Sequence, residues 1–123
     1  MTRLIFLLLV ALCSSAAWAE TRVFAPTDLG PLRALLGETV IVEGAIARAG
    51  ESKTKTVRYL NFTSDAGRGV ALVFFVSADP EGFQLAALKG WIGKKVRVTG
   101  TLGEYRNSLQ IKIARMDQLQ EVR

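Results

Sequence analysis

Residues 69–101 read GVALVFFVSADPEGFQLAALKGWIGKKVRVTGT, and the succession of patterns in this stretch decides the fold. Val70 to Val76 is continuously apolar, which predicts a strand over 69–77 covered on both faces. Phe74 and Phe75 are adjacent, so one of them must point away from the interior; it either packs under a helix or the N-terminal segment, or faces a ligand. Asp79-Pro80-Glu81 then combines a capping residue, a proline suited to the first turn and an acid, which predicts a helix start. Phe83, Ala86 and Ala87 recur at i, i+3 and i+4, Leu88 follows, and Gly90 ends the helix. Past Trp91-Ile92-Gly93 the period drops to two. Val96 and Val98 face one way and Lys95, Arg97 and Thr99 the other, a strand over 94–101.

Working outward, the same period of two appears upstream. Val40, Val42, Gly44 and Ile46 share one face of a first strand over 39–48, in which Gly44 suggests a bend or bulge. Residues 49–56 are polar and turn-prone, hence a loop. A second strand covers 57–63, with Leu60 and Phe62 on one side and Tyr59 and Asn61 on the other. Residues 64–69 form a turn. Downstream, 103–107 is a loop, and Leu109, Ile111 and Ile113 alternate with Gln110, Lys112 and Ala114 in a fifth strand. Leu119 and Val122 in the tail suit a last short pairing. Before the first strand, 20–30 is a polar lead-in, and Pro31 to Leu36 forms a short helix that Gly37 stops. The element order is β-β-β-α-β-β. This is an all-β plan, a five-stranded Greek-key OB-fold barrel with one helix between strands three and four, plus the short N-terminal helix. An SH3-like barrel would lack the helix at Asp79–Leu88.

The alternation Val40-x-Val42-x-Gly44-x-Ile46, the run Tyr59-Leu60-Asn61-Phe62, the run Gly93-Lys94-x-Val96-x-Val98-x-Gly100 and a Tyr105-containing loop before Leu109-x-Ile111-x-Ile113 carry a family resemblance. Together they resemble small exported bacterial OB-fold proteins of the nucleic-acid-binding type. The resemblance covers roughly residues 38–122. It implies a ligand face on strands two and three, flanked by loops 1-2 and 4-5. The sequence departs from the single-strand-binding pattern in offering Tyr59 as the one clear exposed aromatic on those strands.

The N-terminus reads differently. Arg3 precedes an unbroken apolar run, Leu4 to Leu12, and small residues follow to Ala17-Trp18-Ala19. This order predicts a secretory signal peptide over 1–19, cleaved before Glu20. The run is about half of the roughly 20 residues that span a bilayer, so no stable membrane span is expected after cleavage. The lead-in is then 20–37 and the OB-fold domain 38–123, exported to the periplasm or beyond the cell. Cys13 is the only cysteine and follows Leu12, not the small residue that lipidation needs. Arg3 leaves with the leader and no acid does, so 15 basic residues remain against 11 acidic ones, a net charge of +4. That permits an anionic partner without demanding one.

The chain has no histidine. Without His and Cys, Ser-His-Asp and Cys-His catalysis are excluded, as are the usual zinc sites. Glu38, Glu43, Asp65, Asp79 and Glu104 are scattered over separate elements. The expectation is a monomeric binding module, not an enzyme, with no cofactor and no metal.

Candidate binding residues fall in three groups. Arg48, Lys53, Lys55 and Arg58 surround loop 1-2; they line a phosphate track or form a solvated charged loop. Tyr59 stacks a base or caps the barrel core, and Asn61 reads a base edge, holds a phosphate or bonds a nearby turn. Tyr105, Arg106 and Asn107 at the tip of loop 4-5 suit stacking and phosphate contact, or form a hairpin turn in which Asn107 takes a positive φ. Lys95, Arg97 and Lys112, on outward positions of strands four and five, form a solvated face or extend the basic track. The ligand expected is single-stranded nucleic acid or a similar polyanion. The alternative is a periplasmic interaction or stress protein binding a protein, sugar or small molecule.

Overall fold

The computed structural model describes residues 22–65 and 67–123. The signal peptide expected over 1–19, with Cys13 and the cleavage point before Glu20, lies outside them. In chain order the elements are β1 (Val23–Phe24), α1 (Leu29–Arg33), β2 (Thr39–Ala45), β3 (Arg48–Glu51), β4 (Val57–Asn61), β5 (Ala71–Phe75), α2 (Leu85–Lys89), β6 (Lys95–Tyr105), β7 (Ser108–Lys112) and β8 (Leu119–Glu121). Single 3-10 turns sit at Val76–Ala78 and Met116–Gln118.

The expected strand alternation becomes one mostly antiparallel, eight-stranded sheet. Its hydrogen-bonded path runs β1-β2-β6-β7-β5-β4-β3, with β8 paired to β6. The exceptions to antiparallel pairing are β1 on β2 and β5 on β7. The path is open, and it holds more strands than the five expected, for three local reasons. Val23 and Phe24, inside the expected polar lead-in, pair with Ile41 and Val42, and Phe24 is buried. The tail pairs with β6 through Leu119 and Glu121, as its apolar residues suggested. Finally, the expected first strand is two strands.

That division falls at Ile46–Ala47, where the chain exchanges neighbours. The Ile46 N–H donates to the Lys94 carbonyl (3.0 Å) and its own carbonyl accepts from Gly93 N–H (2.8 Å). One residue later, the Ala47 N–H donates to the Asn61 carbonyl (2.8 Å), on the β4 side. Gly44, expected to mark the bend, instead admits Pro26: a Cβ there would lie 2.6 Å from Pro26 Cγ. Beyond the exchange, β3 continues to Glu51, so the loop expected over 49–56 shrinks to 52–56.

The helix between strands is shorter and later than expected. Asp79 does cap, its carboxylate accepting from Gly82 N–H (3.0 Å), but it closes an isolated turn; α2 begins at Leu85. Phe83 and Leu88 are buried while Ala86 and Ala87 are exposed, so the buried side is not the one expected. Phe83 meets Phe74 edge to face, with centroids 5.2 Å apart. Such a pair adds about 0.5–1.5 kcal/mol beyond the area it buries. The N-terminal helix starts two residues before Pro31, which keeps the proline in the first turn, where no N–H is needed. It buries Leu32, whereas Leu36 is exposed. The core unites Leu32, Val42, Leu60, Leu72, Phe74, Val98 and Ile111 with their neighbours, and no polar side chain among the described residues is buried with them.

A candidate ligand groove on the outer face of the sheet

Alternation on β5 sends Leu72 and Phe74 into the core, both 0% exposed, and Ala71, Val73 and Phe75 to the opposite face. The strand expected to be covered on both faces is therefore covered on one. Phe75 is the outward phenylalanine; it lies 36% exposed in a groove, not under a helix or the N-terminal segment. On β4 the same alternation buries Leu60 and turns Val57, Tyr59 and Asn61 outward onto that face.

Strand register sorts these residues into rows. Arg48, Asn61, Ala71 and Gln110 stand side by side on β3, β4, β5 and β7. The next row is Gly50, Tyr59, Val73 and Lys112, followed by Val57 beside Phe75. Tyr105, paired with Ser108 at the end of the β6–β7 hairpin, overhangs the Gln110 end. The result is a groove of about 530 Å³.

Each aromatic ring in it is fixed differently. A Cβ on Gly50 would lie 2.6 Å from Tyr59 Cε2, so the ring lies across the β3 backbone where only glycine leaves room. The Tyr59 hydroxyl donates to the Glu51 carbonyl (3.1 Å) and pins the ring at its far end. Phe75 carries the Lys112 ammonium 4.7 Å from its centroid, and Tyr105, 58% exposed, carries the Arg106 guanidinium at 5.2 Å. These are cation–π distances, and they set a positive charge beside an aromatic surface at two edges of the groove. Arg48 adds a third cation, its Nη1 donating to the Ser64 carbonyl (3.1 Å). Among the described residues no carboxylate lines the groove.

The structure thus brings together Arg48, Tyr59, Asn61 and Tyr105, with Arg106 at the rim. Lys53 and Lys55 stand exposed in the 52–56 loop beside Ser52, which lines the groove. Arg58 and Asn107 sit elsewhere. Arg58 alternates to the other side of β4, where its Nη1 donates to the Phe83 carbonyl (2.6 Å) and its Nε reaches Glu51 (3.3 Å). It ties the segment before α2 to the sheet. The β6 strand runs on to Tyr105, so the loop expected over 103–107 is a two-residue turn of Arg106 and Asn107, both at positive φ (49° and 65°). The Asn107 carbonyl accepts from Arg33 Nη2 (2.8 Å), and Arg33 Nη1 bonds Glu104, so α1 clasps the hairpin that holds Tyr105. Among the described residues no cluster of three or more His, Cys, Asp or Glu forms.

No family model matches the chain, and no curated protein matches it in sequence. Among solved structures it is similar to a chain in the crystal structure of the S. pombe Stn1–Ten1 complex, with TM-score 0.51 and 19% identity. The match covers 69% of this chain and 58% of that one, so this chain spans little more than half the length of that neighbour. It is also similar to OBody AM1L10 bound to hen egg-white lysozyme, with TM-score 0.51 and 16% identity over 72% of this chain and 83% of that one. The fold is OB-like. In the expected strand plan β4 and β5 are the second and third strands, the 52–56 loop is what remains of loop 1-2, and the Arg106–Asn107 turn stands for loop 4-5.

Ser52, Ala71, Val73 and Gln110 line the groove without having been expected there, and Lys112, expected on a solvated face or as an extension of the basic track, stands beside Phe75 at its edge. Gln110 and Lys112 were legible as the face of the fifth strand opposite Leu109 and Ile111. Their meeting with Ala71 and Val73 depends on the parallel β5–β7 register, which alternation within single strands does not encode.

Proposed function

We propose that this protein is an exported, monomeric binding module for single-stranded nucleic acid or a similar polyanion, held in the groove across β3, β4, β5 and β7. The observation that carries this reading is the groove itself: a concave sheet face with aromatic rings, cations at its edges and no carboxylate. Single strands are bound by such a combination, in which stacking contributes about 1–3 kcal/mol per base and cations follow the phosphates. Export rests on the signal-like order of Arg3, the apolar run to Leu12 and Ala17-Trp18-Ala19. A role in binding and not catalysis rests on the missing histidine and the scattered carboxylates. We also treat β2 and β3 as one strand that changes partners at Ile46–Ala47, which reduces the sheet to the five principal strands of a Greek-key barrel, with β1 and β8 as additions.

The test is fluorescence anisotropy of a labelled single-stranded DNA titrated with the protein at two salt concentrations. Saturable binding is expected, with a log–log salt slope of roughly −0.7 per phosphate contact. Tyr59→Ala weakens it, and the Lys53→Ala/Lys55→Ala pair weakens it and flattens the slope. Absence of binding at low salt refutes the reading. A second reading, a protein partner, is favoured by the apolar Val57–Phe75 end of the groove and by the OBody neighbour, which is itself bound to lysozyme.

A further inference from the structure

The row Arg48–Asn61–Ala71–Gln110 differs from the rows beside it. Asn61 and Gln110 flank Ala71 on adjacent strands, so two carboxamides rise on either side of a methyl group about one strand spacing, roughly 4.8 Å, from each. Both are half-buried, both line the groove, and among the described residues no hydrogen bond holds either side-chain amide. Each offers one acceptor and two donor hydrogens. On one side of this row lies Tyr59 with Val73, and on the other lies Tyr105. A flat ring between the aromatic rows would set its polar edge on the carboxamides and its face against tyrosine. The charges, by contrast, are peripheral: Arg48 alone of the lining residues is ionic, and Lys112 and Arg106 lie against Phe75 and Tyr105 at the edges. A ligand recognised by charge alone would leave the polar centre of the groove unused.

We infer that the groove reads the hydrogen-bonding edge of one nucleobase over Ala71 through the side-chain amides of Asn61 and Gln110. The ligand is therefore a single-stranded nucleic acid, not a base-free polyanion. This rests on the nucleic-acid reading above and names the part of the strand that the groove recognises. Asn61 and Gln110 set base preference, Tyr59 and Tyr105 supply stacking, and the peripheral cations supply affinity without sequence content.

The experiment scans a single abasic position along a labelled DNA oligonucleotide bound to the full protein, with inorganic polyphosphate as competitor. The expected result is a drop of about tenfold at one register of the abasic site, the size of one good base-edge pairing, and weak competition by polyphosphate. In the Asn61→Ala/Gln110→Ala variant the drop shrinks to the share that stacking on tyrosine still supplies, and the preference among bases at that register is lost; a variant that keeps the parent's full drop and base preference overturns the inference. Ala71→Leu, which fills the floor between the amides, has the same effect. Both variants alter the outer face only, and an unchanged melting temperature verifies their folding. A flat abasic scan, or polyphosphate competing as well as DNA, overturns the inference while leaving the polyanion reading intact. No DNA binding at all overturns both.

Discussion

Gly50→Ala should separate stability from binding at the proposed nucleic-acid groove. The added methyl group would sit 2.6 Å from Tyr59 Cε2 and 3.2 Å from Cζ, so the ring must lift from β3. Lifting it breaks the bond from the Tyr59 hydroxyl to the Glu51 carbonyl, whose net contribution is about 1 kcal/mol. Against this, alanine in a strand is more favourable than glycine by about 0.5–1 kcal/mol. The two effects oppose each other, and the folded state should change by less than about 1 kcal/mol. Binding has no such compensation. A tilted Tyr59 no longer offers a flat surface, and the loss of one stacked base costs about 1–3 kcal/mol, or roughly five- to hundredfold in Kd. The assay is chemical denaturation alongside oligonucleotide anisotropy, on Gly50→Ala, Tyr59→Ala and the double variant. Because glycine acts only through the ring, the double variant should bind no worse than Tyr59→Ala alone. A Gly50→Ala protein that binds within twofold of the parent, while Tyr59→Ala is impaired, would refute the argument that the glycine exists to seat the ring.

Arg58→Ala should lose about 1–3 kcal/mol of stability, since it removes a charge-assisted bond to the Phe83 carbonyl and leaves the partly buried Glu51 unpaired, yet oligonucleotide affinity should stay within about twofold. Arg33→Ala should shift stability by no more than about 1 kcal/mol, because its pair with Glu104 is exposed. It should still weaken DNA binding severalfold by freeing the Tyr105 hairpin, and anisotropy beside a thermal melt reads both. Gly100→Ala places a methyl group 2.5 Å from Ile111 Cγ2 and 3.0 Å from Gln118 Nε2, and thermal unfolding should report a loss of about 1–3 kcal/mol.

Much of this architecture was legible in the chain because period-two alternation is a local signal. The inward Val96 and Val98, the inward Leu60 and the late pairing at Leu119 needed nothing beyond their neighbours in sequence. What escaped was set by distant contacts. Gly44 looked like a bend because glycine weakens a strand, yet its neighbour is Pro26, from the segment read as a polar lead-in. The unbroken apolar run at Val70–Val76 promised cover on both faces; Val73 and Phe75 show that an apolar strand face can also floor a groove. Arg58 looked like a companion of Lys53 and Lys55 by charge, but its alternation partner is Leu60, so it turns from the groove toward Phe83. Tyr59 and Asn61 were legible as outward residues because a single strand's alternation sets them apart from the core, and Arg48 was singled out by its charge beside loop 1-2. Gln110 was not, because its neighbour Ala71 stands across a parallel pairing 39 residues away in sequence.

The exchange of partners at Ile46–Ala47 bears on cooperativity. One peptide step joins a segment bonded to the β6 side with a segment bonded to the β4 side. Loosening either half therefore withdraws support from the other at the same point, and the two halves lack a joint at which they could open independently. Amides of β4 and of β2 should accordingly exchange with solvent through the same global opening and not through separate local ones. The groove inherits that rigidity. Its floor on β4 and β5 belongs to that cooperative unit, so the proposed ligand would meet a backbone already set by folding.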